Sequence, residues 1–248
     1  MFDALRTVRG IVRSLRIYYG NRRHGPAIDR LYGQFVQPGD LVFDIGAHVG
    51  DRIAAFRRLG ARVVAVEPQP ALVKTLHLLY GRDRNVTIEA AAVGSRPGVI
   101  DLNINVDNPT VSTVSADFIA AAADAPGWRG QAWSRRLSVP LTTNDALIAR
   151  HGVPAFIKID VEGYEAEALA GLGQPVPALS FEFTLIQRDI AQACLERCIA
   201  LGYSRFNACL GEISRFEHAE WIGAEAIGRW LNALPPEANS GDIYARLS

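Results

Sequence analysis

Residues 41–68 read LVFDIGAHVGDRIAAFRRLGARVVAVEP, and their order decides the fold. An apolar run at 41–46 breaks into Gly46, Ala47, His48 and Gly50; residues 51–59 then repeat apolar positions at helical spacing, and a second β-branched run at 62–68 ends on Glu67 and Pro68. Strand, glycine turn, helix, strand is the repeating unit of a parallel sheet. The rhythm continues through strand candidates at 86–93, 156–161 and 178–183 and helical patterns around 70–80, 164–170 and 189–201. This predicts an α/β fold with a mostly parallel, doubly wound sheet covered by helices on both faces, whose ligands sit at the carboxyl ends of the strands. GVIDLNINVD (98–107) and RRLSVPLTT (135–143) read as additional strands, with Thr143 or Asn144 capping a helix through Ile148.

With 248 residues, 49% of them hydrophobic, the chain can bury one sizeable core. The division expected is a lead-in over 1–35, holding an amphipathic helix, and one catalytic domain over 36–248, with 108–136 as a lid or substrate loop. Basic and acidic residues balance at 26 each, so no global field draws the protein to nucleic acid. Cys194, Cys198 and Cys209 read as buried free thiols of a reducing compartment. The sequence shows neither a signal-peptide core nor an apolar run of membrane-spanning length, and a cytoplasmic location is expected. Along residues 2–19 the apolar positions Phe2, Leu5, Val8, Val12, Leu15 and Tyr19 form one helical stripe and Arg6, Arg9, Arg13 and Arg16 another. The stripe is expected to pack on the domain or on a second subunit; the competing reading is contact with an anionic membrane or polyanionic substrate.

At the first strand exit Gly46 allows a tight turn, Gly50 close backbone approach, and the following helix offers free N–H groups. The spacing is not Gly-x-Gly-x-x-Gly, and Asp44 would repel a pyrophosphate but attract an ammonium. Glu67 lies 23 positions after Asp44, where nucleotide-binding α/β folds place an acid on the ribose hydroxyls. Ala92 could form a flat wall beside an adenine ring, or simply let sheet and helix pack closely.

The second informative stretch, FIKIDVEG at 156–163, sets a lysine and two acids in an apolar strand, where an ionised group is costly unless paired or used. Only Lys74 and Lys158 of the 26 basic residues are lysine. Positions two apart share a face, so Lys158 lies behind Asp160, and Glu182 leaves the next strand candidate in the same manner. Three readings stay open for this group: an ion-pair network that orders the strand exits, a base formed by Asp160 or Glu162 and tuned by Lys158, or a hard cation held by Asp160 and Glu182, for which no third ligand is visible.

The ordered set D-x-G-A-x-x-G (44–50), E-P (67–68), AAVGSRPGVIDL (91–102) and K-I-D-x-E-G (158–163) resembles the FkbM family of S-adenosylmethionine-dependent methyltransferases over about residues 40–185, with GDIYARL (241–247) similar to the family's final strand. The resemblance implies a Rossmann-like class I methyltransferase with a seven-stranded sheet and one antiparallel strand, S-adenosylmethionine as cofactor, and methyl transfer to a hydroxyl oxygen of a sugar, glycan or polyketide-type acceptor. It also implies that Asp44, Gly46 and Gly50 belong to the first cofactor motif, Glu67 to the ribose and Lys158, Asp160 and Glu162 to the fourth motif. Together with the residue reading, the expected cofactor set is Asp44, Gly46, Ala47, His48, Gly50, Glu67, Pro68, Ala92 and Asp160, and the expected catalytic set Asp160, Lys158, Glu162 and Glu182, with no metal. His48 departs from the family's frequent asparagine, and Asn144 from the leucine before the aspartate matched by Asp145. A nicotinamide-dependent oxidoreductase and a non-catalytic cofactor-binding scaffold are the alternatives. No Asn-Pro-Pro-Tyr or Asp-Pro-Pro-Tyr motif follows the strand, against transfer to an exocyclic base nitrogen.

Overall fold

A computed structural model describes residues 2–20, 24–211 and 213–247, with side chains over 5–20, 25–211 and 213–247. Seven strands form the central sheet: β1 (Leu41–Ile45), β2 (Arg62–Val66), β3 (Val86–Glu89), β7 (Phe156–Ile159), β8 (Ala178–Thr184), β9 (Arg205–Leu210) and β10 (Ser240–Arg246). Their order is β3-β2-β1-β7-β8-β10-β9, and β10 runs antiparallel to both neighbours while the other pairs from β3 to β8 are parallel. The chain winds outward from β1 to β3 and then returns to β1's other side with β7, so the β1/β7 exit is the crevice where ligands bind in such sheets.

Both faces of the sheet are apolar, with period two. Phe43, Ile45, Ile157, Ile159 and Phe181 enter one core, covered by α6 (Asn144–His151), α7 (Glu165–Ala170), α8 (Arg188–Ala200) and α9 (Ala224–Ala233). Val42, Val63, Ala65, Phe156 and Tyr244 enter the other, covered by α2 (His24–Tyr32), α3 (Asp51–Arg58) and α4 (Pro70–Tyr80). The helix starts follow local chemistry: the Thr143 hydroxyl accepts from the Ala146 N–H at 3.1 Å, and Pro70 opens α4. Cys194, Cys198 and Cys209 are buried and free, and burial pushes the Cys198 and Cys209 thiols up to about 12. Residues 206–221 hold most of β9 and an aromatic plug, in which Phe216 and Trp221 pack edge-on against Phe35 and the Arg246 guanidinium lies 4.2 Å over Trp221.

Two expectations are corrected. Residues 86–93 are not one strand: β3 ends at Glu89, and β4 (Ala92–Val93) pairs with β6 (Arg135–Thr142) in a second sheet of order β4-β6-β5, where β5 is Gly98–Ile104. The chain turns because β6 offers Val93 a partner and the apolar cluster of Leu102, Ile104 and Val139 receives Ala92.

The second concerns α1 (Phe2–Gly20), which packs only the C-terminal part of its apolar stripe on the domain, Leu15 against Val49 and Leu72 and the Tyr19 hydroxyl on the Val49 carbonyl. Leu5, Val8 and Val12 are exposed, Phe2's side chain lies outside the described ones, and the buried face is Thr7, Gly10, Ile11 and Ser14. Small side chains let the helix lie close: a Cβ on Gly10 would stand 2.6 Å from Pro109. Arg6 donates to Asp107 at 2.8 Å and Arg13 to Asn108 at 2.8 Å, fixing the helix over the segment after β5.

Candidate active site

Gly46 leaves β1 at φ 84°, and a Cβ there would stand 1.7 Å from the carbonyl oxygen of Asp160. The two strand exits therefore touch, backbone to backbone, and no L side chain fits between them. His48 follows at φ 48°, a left-handed conformation that histidine and asparagine adopt more readily than most residues, so the backbone accounts for either residue here. Its N–H donates to the Glu67 carboxylate at 3.0 Å, and the Gln69 N–H donates to the other oxygen at 2.8 Å. Glu67 is buried, and burial pushes its pKa up to about 7 in spite of those two donors.

At the β7 exit the expected cluster assembles. Lys158 and Ser180 are in register across β7 and β8, which brings Asp160 beside Glu182 on the same face. The Lys158 ammonium is 2% exposed and donates to Asp160 at 2.6 Å. Burial works against that charge, but Asp160 and Asp242 outweigh it and hold Lys158 well above its ordinary pKa. Burial likewise raises Asp160, and the Lys158 charge with hydrogen bonds from Lys158 and Glu182 reverses this, leaving it below the usual range. Burial and the Asp160 charge lift Glu162 and Glu182 well above theirs. The pair with Lys158 thus favours the ionised form of Asp160, and burial beside that charge disfavours ionisation of its two neighbours. Carboxylate oxygens of Asp160, Glu162 and Glu182 lie within 4.8 Å of one another, so Glu162 supplies the third oxygen that a cation reading lacked in the sequence.

The loop after β7 is braced. Glu162 stands at φ 55° and Gly163 at φ 85°. The buried Glu165 carboxylate accepts from the N–H of Val161 at 2.9 Å and of Gly163 at 3.1 Å, and the Thr113 hydroxyl donates to the Glu162 carbonyl at 2.6 Å. Asp44 lies one strand over, in register with Lys158, 1% exposed, and both its oxygens lack a hydrogen-bond partner. Burial pushes its pKa up to about 7, with Lys158 opposing.

These groups surround a cleft enclosing about 1000 Å³, counting the space open to solvent. Of the expected cofactor residues Gly46, Ala47, His48, Glu67, Pro68 and Ala92 line it, as do Lys158, Asp160, Glu162 and Glu182. Asp44 and Gly50 do not: Asp44 lies beneath the floor, and a Cβ on Gly50 would meet Tyr80 and Leu76, so that glycine serves the packing of α3 on α4. The sequence did not single out Asp51, Arg52, Gln69, Thr110 or Thr113, which also line the cleft, nor Tyr18 of α1, whose ring meets His48 edge-on at 5.7 Å. The Thr110 hydroxyl is 3.3 Å from His48 Nε2. Trp128 and Trp133 pack on Phe118 of α5 (Ala116–Asp124), with the Trp133 N–H donating to the Val111 carbonyl at 2.7 Å, whereas Tyr164 lines the cleft.

The wall carries five acids, Asp51, Glu67, Asp160, Glu162 and Glu182, against Arg52 and Lys158. A buried acid lining the cleft at the β2 exit, an orphaned carboxylate under the floor and a cradle that excludes Cβ suit a cationic nucleoside.

A family model described as the methyltransferase FkbM domain matches residues 44–233. Among solved structures the chain is similar to a TehB-like S-adenosylmethionine-dependent methyltransferase from Corynebacterium glutamicum, at 12% identity and TM-score 0.47 over 95% of this chain and 94% of that one. It is also similar to precorrin-6y C5,15-methyltransferase from Geobacter metallireducens, at 14% identity and TM-score 0.45 over 91% and 87% of the two chains. Aeropyrum pernix fibrillarin with natively bound S-adenosyl-L-methionine aligns at 10% identity and TM-score 0.44 over 85% and 68%. No curated protein matches the sequence significantly.

Proposed function

The chain belongs to the FkbM methyltransferase family, an S-adenosylmethionine-dependent enzyme family, and from that premise we propose that it methylates a hydroxyl oxygen on a sugar, glycan or polyketide-type acceptor. The observation that carries this reading is the Lys158–Asp160 pair at the floor of the cleft, flanked by the Glu162 and Glu182 carboxyl groups. S-adenosylmethionine supplies an electrophilic methyl group on a sulfonium. Glu67 would accept hydrogen bonds from the ribose hydroxyls, Ala92 and Pro68 would border the base, and Asp44 would favour the amino end through the floor. The enzyme's chief task is to hold acceptor oxygen, methyl carbon and sulfur in line. Asp160 would take the hydroxyl proton, which becomes strongly acidic as the oxygen–carbon bond forms and the carbon–sulfur bond breaks, its electron pair leaving on sulfur in S-adenosylhomocysteine, so a carboxylate held low by Lys158 still accepts it. Segment 108–136 acts as the acceptor loop through its first part, since Pro109, Thr110 and Thr113 line the cleft.

Incubating the purified protein with S-adenosylmethionine and acceptor panels bearing hydroxyl, amine or activated ring-carbon groups tests this. S-adenosylhomocysteine should form only with the hydroxyl panel; turnover confined to amines or ring carbons would overturn the proposal. S-adenosylhomocysteine, and neither NAD nor NADP, should raise the melting temperature.

Glu67 gives this reading a pH signature. Its folded pKa of about 7 stands above the ordinary 4.5, as do those of Glu165 and, against 3.8, Asp44. The stability these groups contribute to the cofactor-free protein is full below about pH 4 and is lost as pH rises through about 7. Ribose hydroxyls prefer the ionised Glu67, so the sign for binding is opposite: cofactor affinity should rise several-fold from about pH 6 to about pH 8. Calorimetry across that range should show a weaker and shallower profile for Glu67→Gln, the remaining slope belonging to Asp44; an unaltered protein with no steeper profile than that variant would remove Glu67 from the ribose.

A further inference from the structure

The outer face of α1 carries a feature that methyl transfer does not use. Leu5, Val8 and Val12 are 61%, 55% and 39% exposed, and their spacing of three and four sets them in one solvent-facing stripe. Ile17 of the same helix lies outside the stripe, Tyr19 is exposed but bonds the Val49 carbonyl through its hydroxyl, and of the other exposed apolar side chains Leu78 and Leu79 adjoin on α4 while Val99 and Val153 stand singly. At 100° per residue Arg9 and Arg16, both exposed, border the stripe beside Leu5 and Val12. Ile11 and Gly10 on the buried side, with Arg6 on Asp107 and Arg13 on Asn108, fix the direction in which the stripe faces. Residues 1–23 hold six arginines and one acid, Asp3, which leaves 20 basic against 25 acidic residues in the rest of the chain. The zero net charge thus conceals a cationic N-terminal segment on an acidic domain.

We infer that α1 docks the enzyme on an anionic lipid surface, with Leu5, Val8 and Val12 entering the boundary between headgroups and acyl chains and Arg9 and Arg16 meeting lipid phosphates. The helix lies on the membrane and does not cross it: no described helix is long and apolar enough to span one. Charge decides against a second copy of the chain as occupant, because a two-fold contact through α1 would oppose Arg9 and Arg16 to their own counterparts, and the helix offers no acid beyond Asp3. A soluble polyanion would meet the arginines but leave the apolar stripe in water. Tyr18 of the same helix lines the cleft, so α1 joins the lipid-facing surface to the wall of the active site.

The test is sedimentation of the full chain with vesicles of phosphatidylcholine alone and of phosphatidylcholine mixed with phosphatidylglycerol. The protein should sediment with the anionic vesicles and be released in part by salt. A Leu5→Ser, Val8→Ser, Val12→Ser variant and an Arg9→Gln, Arg16→Gln variant should each bind at least about ten-fold more weakly, while melting temperature and its rise with S-adenosylhomocysteine stay unchanged. Absence from both vesicle pellets, or undiminished binding by both variants, overturns the proposal. So does a concentration-dependent dimer in sedimentation velocity that the serine variant abolishes, which would give the surface to a second copy.

Discussion

Asp160→Asn is expected to lower turnover by about 10²- to 10⁴-fold, the range of general-base assistance, while cofactor affinity stays within a few-fold. The substitution keeps the shape of the side chain and removes the carboxylate that Lys158 holds below its ordinary pKa. It also strips the buried Lys158 ammonium of its partner at 2.6 Å. Breaking such a pair from one side costs about 3–5 kcal/mol, so melting temperature should fall as well, and turnover must be measured on protein shown to be folded and cofactor-bound. Glu182→Gln separates catalysis from this structural loss. Glu182 is not the partner of Lys158, and burial with the Asp160 charge holds its pKa well above the ordinary range, so its loss of turnover should be far smaller than that of Asp160→Asn. Equal losses in the two variants would reassign the base, and an Asp160→Asn enzyme within about ten-fold of normal would leave positioning as the whole of catalysis.

The contrast between these variants is partly legible in the amino-acid order alone. A two-residue period in FIKIDV sets Lys158 and Asp160 on one face, and β7 and β8, consecutive strands of the main sheet, are adjacent, so Glu182 can be placed beside them. Glu67 is legible for the same reason: its position follows from where a strand stops. The sequence does not show which of the three carboxyl groups is lowered and which are raised, because that depends on their burial together and on which one Lys158 pairs with. Contacts from chain-distant segments are equally hidden. Thr110, Thr113 and Tyr18 reach the cleft only because β5 delivers the following segment to the β7 exit and α1 lies across it. Helical periodicity finds both stripes of α1 but not the seated face, for which the signal is the small residues Thr7, Gly10 and Ser14. The end of β3 is similar: EAAAV contains no breaker, and only pairing with β6 separates Glu89 from Ala92.

Gly46→Ala should be the most damaging single methyl addition in the cleft, for a reason that combines both exits. The residue stands at φ 84°, which costs an L side chain about 1–2 kcal/mol by itself. The new Cβ would also fall 1.7 Å from the Asp160 carbonyl oxygen and 2.8 Å from its carbon, and neither is the end of a flexible side chain that could swing away. Relief requires the β1 exit to part from the β7 exit, against the hydrogen bond from the Asp160 N–H to the Ile45 carbonyl at 3.0 Å. The expected loss is at least about 3 kcal/mol, or roughly 10 °C in melting temperature for a chain of this size. Gly39→Ala is the matched control: its φ is 92°, but nothing lies within 4 Å of a Cβ there, so it should lose only the dihedral part, a few degrees. Because the separation moves Asp160 relative to the glycine turn, folded Gly46→Ala protein should also bind S-adenosylhomocysteine at least ten-fold more weakly by calorimetry, while Gly39→Ala binds normally. If the two variants melt together and bind alike, the two strand exits are not held in contact, and the positioning of Asp160 against the cofactor cradle has to come from elsewhere.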